Sequence, residues 1–443
     1  MKIINTLKFD NLMVKKFFSP LCLFISIFLL IYIVFKSELV WVGEKRDYYL
    51  PYFIFAIFLF IFSIISFFFS KENKIKILKI SSIVIFSLFL CESVLFFKNI
   101  IKQKKVIKEN NNFNLFENLK KEKEEITITF SPWNFINENN KKYFPLSGLS
   151  KIETIHCLNQ SDYTNYKSDR YGFNNPDKEW NAINIKYLLI GDVFTHSGCV
   201  NRPHDIASVL RTLSNEPVLN LGYEGNETII MFSTLKEYLP KKVENILWMY
   251  HEGNDTDEIE IELKNQILLK YLYDDNFIQN LKSNQNKIDE IVKNSIKKFL
   301  DSQKKVNKFS FEKLRLVIRF LKLSNFREEL FYKEKRELFT PPHPMFKKIL
   351  ENTKKISKNN KSNFYFVYLP EYLRFTKDYQ KNTQYKKIKK IIEDSNIKFI
   401  DIKKEIFDKS EDPEKLFSIK NTGMYNEEGY KKIAEYIFKL TRE

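Results

Sequence analysis

Side chains able to attack, move protons or hold a developing charge fall in four short stretches of the 443-residue chain. GDVFTHSGCV, Gly191 to Val200, carries Asp192, Thr195, His196 and Ser197, and YHEGND carries His251 and Asn254. NLGYEGNET and NTGMYNEEGY add glycines and amides, among them Gly225 and Asn421, together with Met424. A hydroxyl becomes a nucleophile only with a base at hydrogen-bond reach, so Ser197 with His196 or His251 is a dyad the chain could assemble. The plainer reading makes both histidines polar residues lining or flanking a cleft. Asp192 follows an apolar run and can fix its turn by accepting backbone N–H bonds. The five histidines are scattered and no cysteine pair has zinc spacing, so no metal or cofactor is expected.

These stretches need a frame. Five apolar runs, IKYLLIGD, EPVLNLGY, VENILWMYHEGND, SNFYFVYLP and IKFIDI, read as strands. PHDIASVLRTLS and TIIMFSTLKEYL lie between the first three and have helical spacing. Alternation of this kind, with strands apolar on both faces, predicts an α/β fold with a parallel sheet covered by helices. Ligands of such sheets bind at the carboxyl ends of the strands, where Gly191-Asp192 and the EGND stretch fall. Residues 256–344 break the pattern with lysine-rich helical stretches. They are expected to form a helical insertion, either a lid over the site or a peripheral helical pair. Asn426 is placed to cap a closing helix, with Glu427 and Glu428 in its first turn.

The first hundred residues differ. Apolar runs at about 17–35, 49–70 and 77–97 are each long enough to cross a hydrocarbon core of roughly 30 Å. Residues 1–98 therefore read as a three-helix anchor in membrane lipid, 99–145 as a stalk and 146–443 as the α/β domain. Lysines before the first run place the N-terminus inside and the domain outside. Glu92, within the third run, could mark a function, sit near the interface or pair with another helix. The net charge of +17 comes largely from dispersed lysine, only ten of the 72 basic residues being arginine, which argues against a nucleic-acid partner. Cys22 and Cys91 lie in the apolar runs. An oxidising compartment would allow a Cys157–Cys199 disulfide, whereas the cytoplasm would leave two buried thiols.

Taken in order, GDVFTHSGCV, NLGYEGNET, YHEGND and TGMYNEEGY resemble the blocks of the SGNH/GDSL hydrolase superfamily, over roughly residues 146–443. SDRYGFNNPDKEW resembles the lead-in of membrane-anchored bacterial members. The resemblance implies a three-layer α/β/α, flavodoxin-like domain with five parallel strands, held at the bacterial inner membrane and facing outward. It also implies a nucleophilic serine, an oxyanion hole and an Asp-x-x-His pair. The oxyanion positions map to Gly225 and Asn254, which are kept. The nucleophile maps to Val193, and the Asp-x-x-His pair to Asn421 and Met424. Valine cannot attack a carbonyl and a thioether cannot take a proton, so the expected chemistry is absent.

The expectation is a membrane-anchored, non-hydrolysing SGNH-like protein. It would bind an acylated cell-surface glycan or a partner in its processing, such as a membrane acyltransferase. The alternatives are an active esterase or O-acyltransferase with a relocated nucleophile, and a structural interaction module.

Overall fold

The computed structural model describes residues 11–40, 46–109, 112–122, 125–138, 142–159, 162–252, 258–306, 317–327, 342–375, 384–418 and 423–442. The chain divides into two compact units, 1–99 with 316–327, and 100–315 with 328–443.

The first unit contains α1 (Asn11–Val34), α2 (Arg46–Ile65) and the start of α3 (Lys71–Glu109). Three segments, Lys16–Leu39, Tyr49–Phe68 and Lys71–Lys98, are long and apolar enough to span a membrane. Small residues let α1 and α2 approach, and the Ser19 hydroxyl donates to the Ser66 carbonyl at 3.0 Å. Outward-facing Phe24, Phe28, Ile31 and Phe58 are exposed, as lipid-facing side chains would be.

In the second unit β1 (Ile126–Ile128), β2 (Glu153–Asn159) and β3 (Asp162–Lys167) form a small sheet, β1 parallel and β3 antiparallel to β2. The larger sheet contains β4 (Ile185–Gly191), β5 (Val218–Asn220), β6 (Val243–His251), β7 (Asn363–Leu369) and β8 (Lys398–Asp401). Its order is β5-β4-β6-β7-β8 and every pairing is parallel. The order reverses between β4 and β6, which makes their carboxyl ends the switch point where such sheets bind ligands.

Alternate residues of each strand enter different cores. Leu188, Ile190, Ile246, Trp248, Phe364 and Phe366 join one cluster, while Tyr187, Leu189, Leu247, Met249, Tyr365 and Val367 join the other. The first is shared with α7 (Thr228–Tyr238), α11 (Pro344–Asn359) and α12 (Gln384–Asp394). The second is shared with α6 (Ile206–Ser214) and α13 (Glu427–Thr441). Helices thus cover both faces, and each fully buried aliphatic side chain contributes about 1.5–3 kcal/mol. Caps set the helix starts. Asp205 accepts from Ala207 and Ser208 N–H, Asn426 accepts from Gly429 N–H, and buried Glu262 accepts from Ile229 and Ile230 at the start of α7.

One expectation needs correction. Residues 99–145 are not only a stalk. They include α4 (Asn112–Glu122) and β1, and Phe116, Ile126, Phe130, Phe135, Ile136 and Phe144 enter the first core, because the apolar residues between charged ones have a sheet face to cover. The expected insertion contributes several helices among its described residues. Its α8 (Ile259–Glu262), α9 (Gln266–Tyr273) and α10 (Gln285–Val306) bury Leu268, Ile288 and Val292 in that same core, whereas 316–327 belongs to the membrane unit.

Candidate functional site

The carboxyl end of β4 leads through Asp192 into the one-turn helix α5 (Val193–His196). Asp192 Oδ1 accepts from Phe194 N–H at 2.9 Å, which starts the turn. The rest of the carboxyl is enclosed, and burial raises its pKa to about 7 against the opposing pull of backbone N–H groups. Burial likewise lifts Glu224 and Glu371 to about 7.

Val193 packs against the second core cluster, as does Met424, whose sulfur lies close to Gly198. Both positions that the resemblance assigns to nucleophile and base thus carry apolar groups at the edge of one core. Asn254 and Asn421 lie outside the described residues. Gly225 has φ +73, a conformation that favours glycine, and a Cβ there would collide with the Ser131 side chain. Ser131 caps the turn Pro132–Phe135 by accepting from Trp133 N–H at 3.1 Å, so SPWNF lies over the Gly225 loop. Buried Asn226 ties the same loop to β4, its Nδ2 donating to Gly191 O at 3.4 Å.

The substitute dyad is not assembled. Ser197 is 1 % exposed, and its Oγ accepts from Asn174 Nδ2 at 3.3 Å. His196 Nε2 is 3.0 Å from the Tyr166 hydroxyl, and its ring stacks on Tyr223. His251 stacks face to face on Phe194, with ring centroids 3.5 Å apart. Each of the three side chains is turned toward a different neighbour.

Cys157 and Cys199 form a disulfide that joins β2 to the chain just past α5. Beside it the His156 and His196 rings lie 4.1 Å apart, His196 buried and His156 half-buried. Burial lowers the His156 pKa to about 4, partly offset by a bond to Gly198, and lowers that of His196 through burial and then the His156 charge. An unfolded histidine protonates near 6.5, so between pH 6.5 and 4 the unfolded chain binds a proton that the folded one refuses. His156 therefore stabilises the fold above pH 6.5, and that contribution falls as pH drops to 4, by about 3 kcal/mol. Raised carboxyls such as Asp192 act in the opposite sense, so the measurement is a comparison. Urea unfolding of the natural chain and a His156→Gln variant at pH 7 and 4.5 should show the natural chain losing stability relative to the variant. Parallel pH dependences would refute the linkage.

Three features were missed in the sequence. Ser131 and Trp133 were read as linker, although a tryptophan and a phenylalanine among charged residues signalled packing. Asn226 beside Gly225 was passed over. Glu252 is fully buried and accepts from Arg374 Nε at 2.6 Å and from Glu371 N–H at 3.4 Å, a pairing across the ends of β6 and β7 with no local signature.

No family model matches the chain, and no curated protein matches it. Among solved structures, a protein described as lipolytic and of the G-D-S-L family, from Desulfitobacterium hafniense DCB-2, is similar at 16% identity. The alignment covers 58% of this chain and 99% of that one, with a TM-score of 0.32.

Proposed function

We propose that this chain is a membrane-anchored SGNH/GDSL-like protein that binds a ligand at its strand ends without hydrolysing it. Its ligand class is an acylated cell-surface glycan, or a membrane acyltransferase that processes one. The observation that carries the reading is the packing of Val193 and Met424 on one apolar cluster at the turn where a nucleophile and base would stand. The enclosure of Ser197 and His196 supports it further, since neither is presented to a substrate. The three candidate spans support membrane attachment, and the Cys157–Cys199 disulfide suits an extracytoplasmic, oxidising location for the α/β domain.

The test is hydrolysis of a short-chain p-nitrophenyl ester by the full chain in detergent, beside a Val193→Ser, Asn421→Asp, Met424→His variant. The natural chain is expected to match buffer, and the variant to exceed it by roughly a hundredfold or more. Turnover by the natural chain would sink the binding reading. Silence of both proteins would remove the support for an SGNH-like site.

A further inference from the structure

Glu92 of α3 is 0 % exposed, although it lies within the apolar segment Lys71–Lys98. It stands six residues before Lys98, or about 9 Å along the helix from that end. Its partners come from far along the chain. Oε1 accepts from Asn325 N–H at 3.2 Å and from Asn325 Nδ2 at 2.7 Å, and Oε2 accepts from Phe326 N–H at 2.7 Å. Phe320 packs on Phe89 and Phe96, with centroids 5.7 and 5.5 Å away, and the Arg327 guanidinium lies over the Tyr52 ring of α2. Phe89, Glu92 and Phe96 are spaced by three and four and so form one helix face.

Residues 317–321 are helical, and the chain breaks at Leu323, which has φ +50, before the short helix Ser324–Arg327. Such a break frees backbone N–H groups. In hydrocarbon, with no water to bond them, each would be strongly unfavourable, and a lone buried carboxyl would be unfavourable as well. The Glu92 carboxyl and the Asn325 and Phe326 donors satisfy one another. The exposed residues of the segment are three apolar ones and Lys322, whose long stem lets its ammonium reach the interface: Leu321 is 62 % exposed and Val317 52 %, alongside Leu90 at 57 % and Val94 at 64 % on α3. That apolar surface continues the one α3 would present to lipid.

We propose that residues 317–327 are a re-entrant membrane element, seated against α3 by Glu92, with Val317, Ile318 and Leu321 facing the hydrocarbon of the bilayer. The chain would then be attached to the membrane a second time, between α10 and α11. This holds whatever the α/β domain binds.

The test uses the full chain in liposomes, with Cys22→Ala and Cys91→Ala as background. Bimane is attached at Leu321→Cys or, as an aqueous control, at Lys297→Cys on exposed α10. Brominated lipid should quench the Leu321→Cys probe, and a membrane-impermeant maleimide should label that site roughly tenfold more slowly than the control. Adding Glu92→Ala should bring the labelling rate up to the control rate, whereas Glu92→Gln, which keeps one acceptor oxygen, should give an intermediate rate. An intact Cys157–Cys199 disulfide in each variant shows that the second unit has folded. If Glu92→Ala prevents folding, the quenching and labelling of the Leu321→Cys chain alone decide. Rapid labelling without lipid quenching would overturn the proposal. So would slow labelling that Glu92→Ala leaves unchanged in a folded chain.

Discussion

Methionine in place of Arg374 is expected to lower the unfolding free energy by roughly 3–5 kcal/mol, the range for stripping one partner from a buried ion pair. Glu252 is the reason. It has no exposed surface, it follows the last residue of β6, and Arg374 reaches it from the turn Tyr372–Phe375 after β7. Methionine would fill much the same volume and take the Arg374 guanidinium away from the buried carboxylate. The loss should be asymmetric. With Glu252→Gln the guanidinium remains, and its longer side chain, 11% exposed, can turn toward water. The double variant should recover at least about 2 kcal/mol of the Arg374→Met loss, because two neutral groups can share the space. Denaturant titration followed by tryptophan fluorescence measures all three. Additive losses, or an Arg374→Met cost below about 1 kcal/mol, would mean that water already screens the pair.

Replacing both Cys157 and Cys199 by serine is expected to lower stability by roughly 4 kcal/mol. The bridged cysteines are 42 residues apart, and closing a loop of that length removes a corresponding share of unfolded-chain entropy. The bridge has a local role as well. Ser197 and Gly198 both have positive φ, and Cys199 follows them directly, so the bond holds a turn that the backbone does not favour unaided. The free thiols, Cys22 and Cys91, lie in the first unit. Denaturation midpoints of the double-serine variant and the natural chain, measured without reductant, give the difference. Equal midpoints would show that strain in the bridged state cancels its entropic gain.

Much of the frame was legible in the sequence because burial on both faces leaves a plain record. YLLI and FYFVYL have no polar alternation, and the sheet places each side chain in one core or the other. The apolar character of Val193 and Met424 was equally readable, since a side chain without a lone pair suited to taking or giving a proton keeps that limit in any fold. What escaped depends on distance. Thr127, Thr154 and Tyr166 alternate weakly with charged and amide residues, so nothing local announces that β1, from the stretch expected as a stalk, pairs with β2 and β3 of the domain. Glu92 and Asn325 are 233 residues apart, and Glu252 and Arg374 are 122 apart. No periodicity within either segment announces such a partner. The relocated dyad failed for a related reason. Ser197 and His196 are neighbours in sequence, yet a helical turn sends them to Asn174 and Tyr166.

The pairing of β6 with β7 has a consequence for how the protein is made. β6 ends at His251 and its neighbour begins only at Asn363. At 5–20 residues per second a ribosome needs roughly 5–20 s to supply the chain between them. During that interval β4, β5 and β6 can assemble, but one side of β6 has no strand to bond, and Trp248, Met249 and Tyr250 lack the neighbours that β7 brings. An open apolar strand edge is a template for joining other chains. The nascent protein must therefore pass through a stage in which its central strand is its most adhesive surface, and the late arrival of β7 ends that stage.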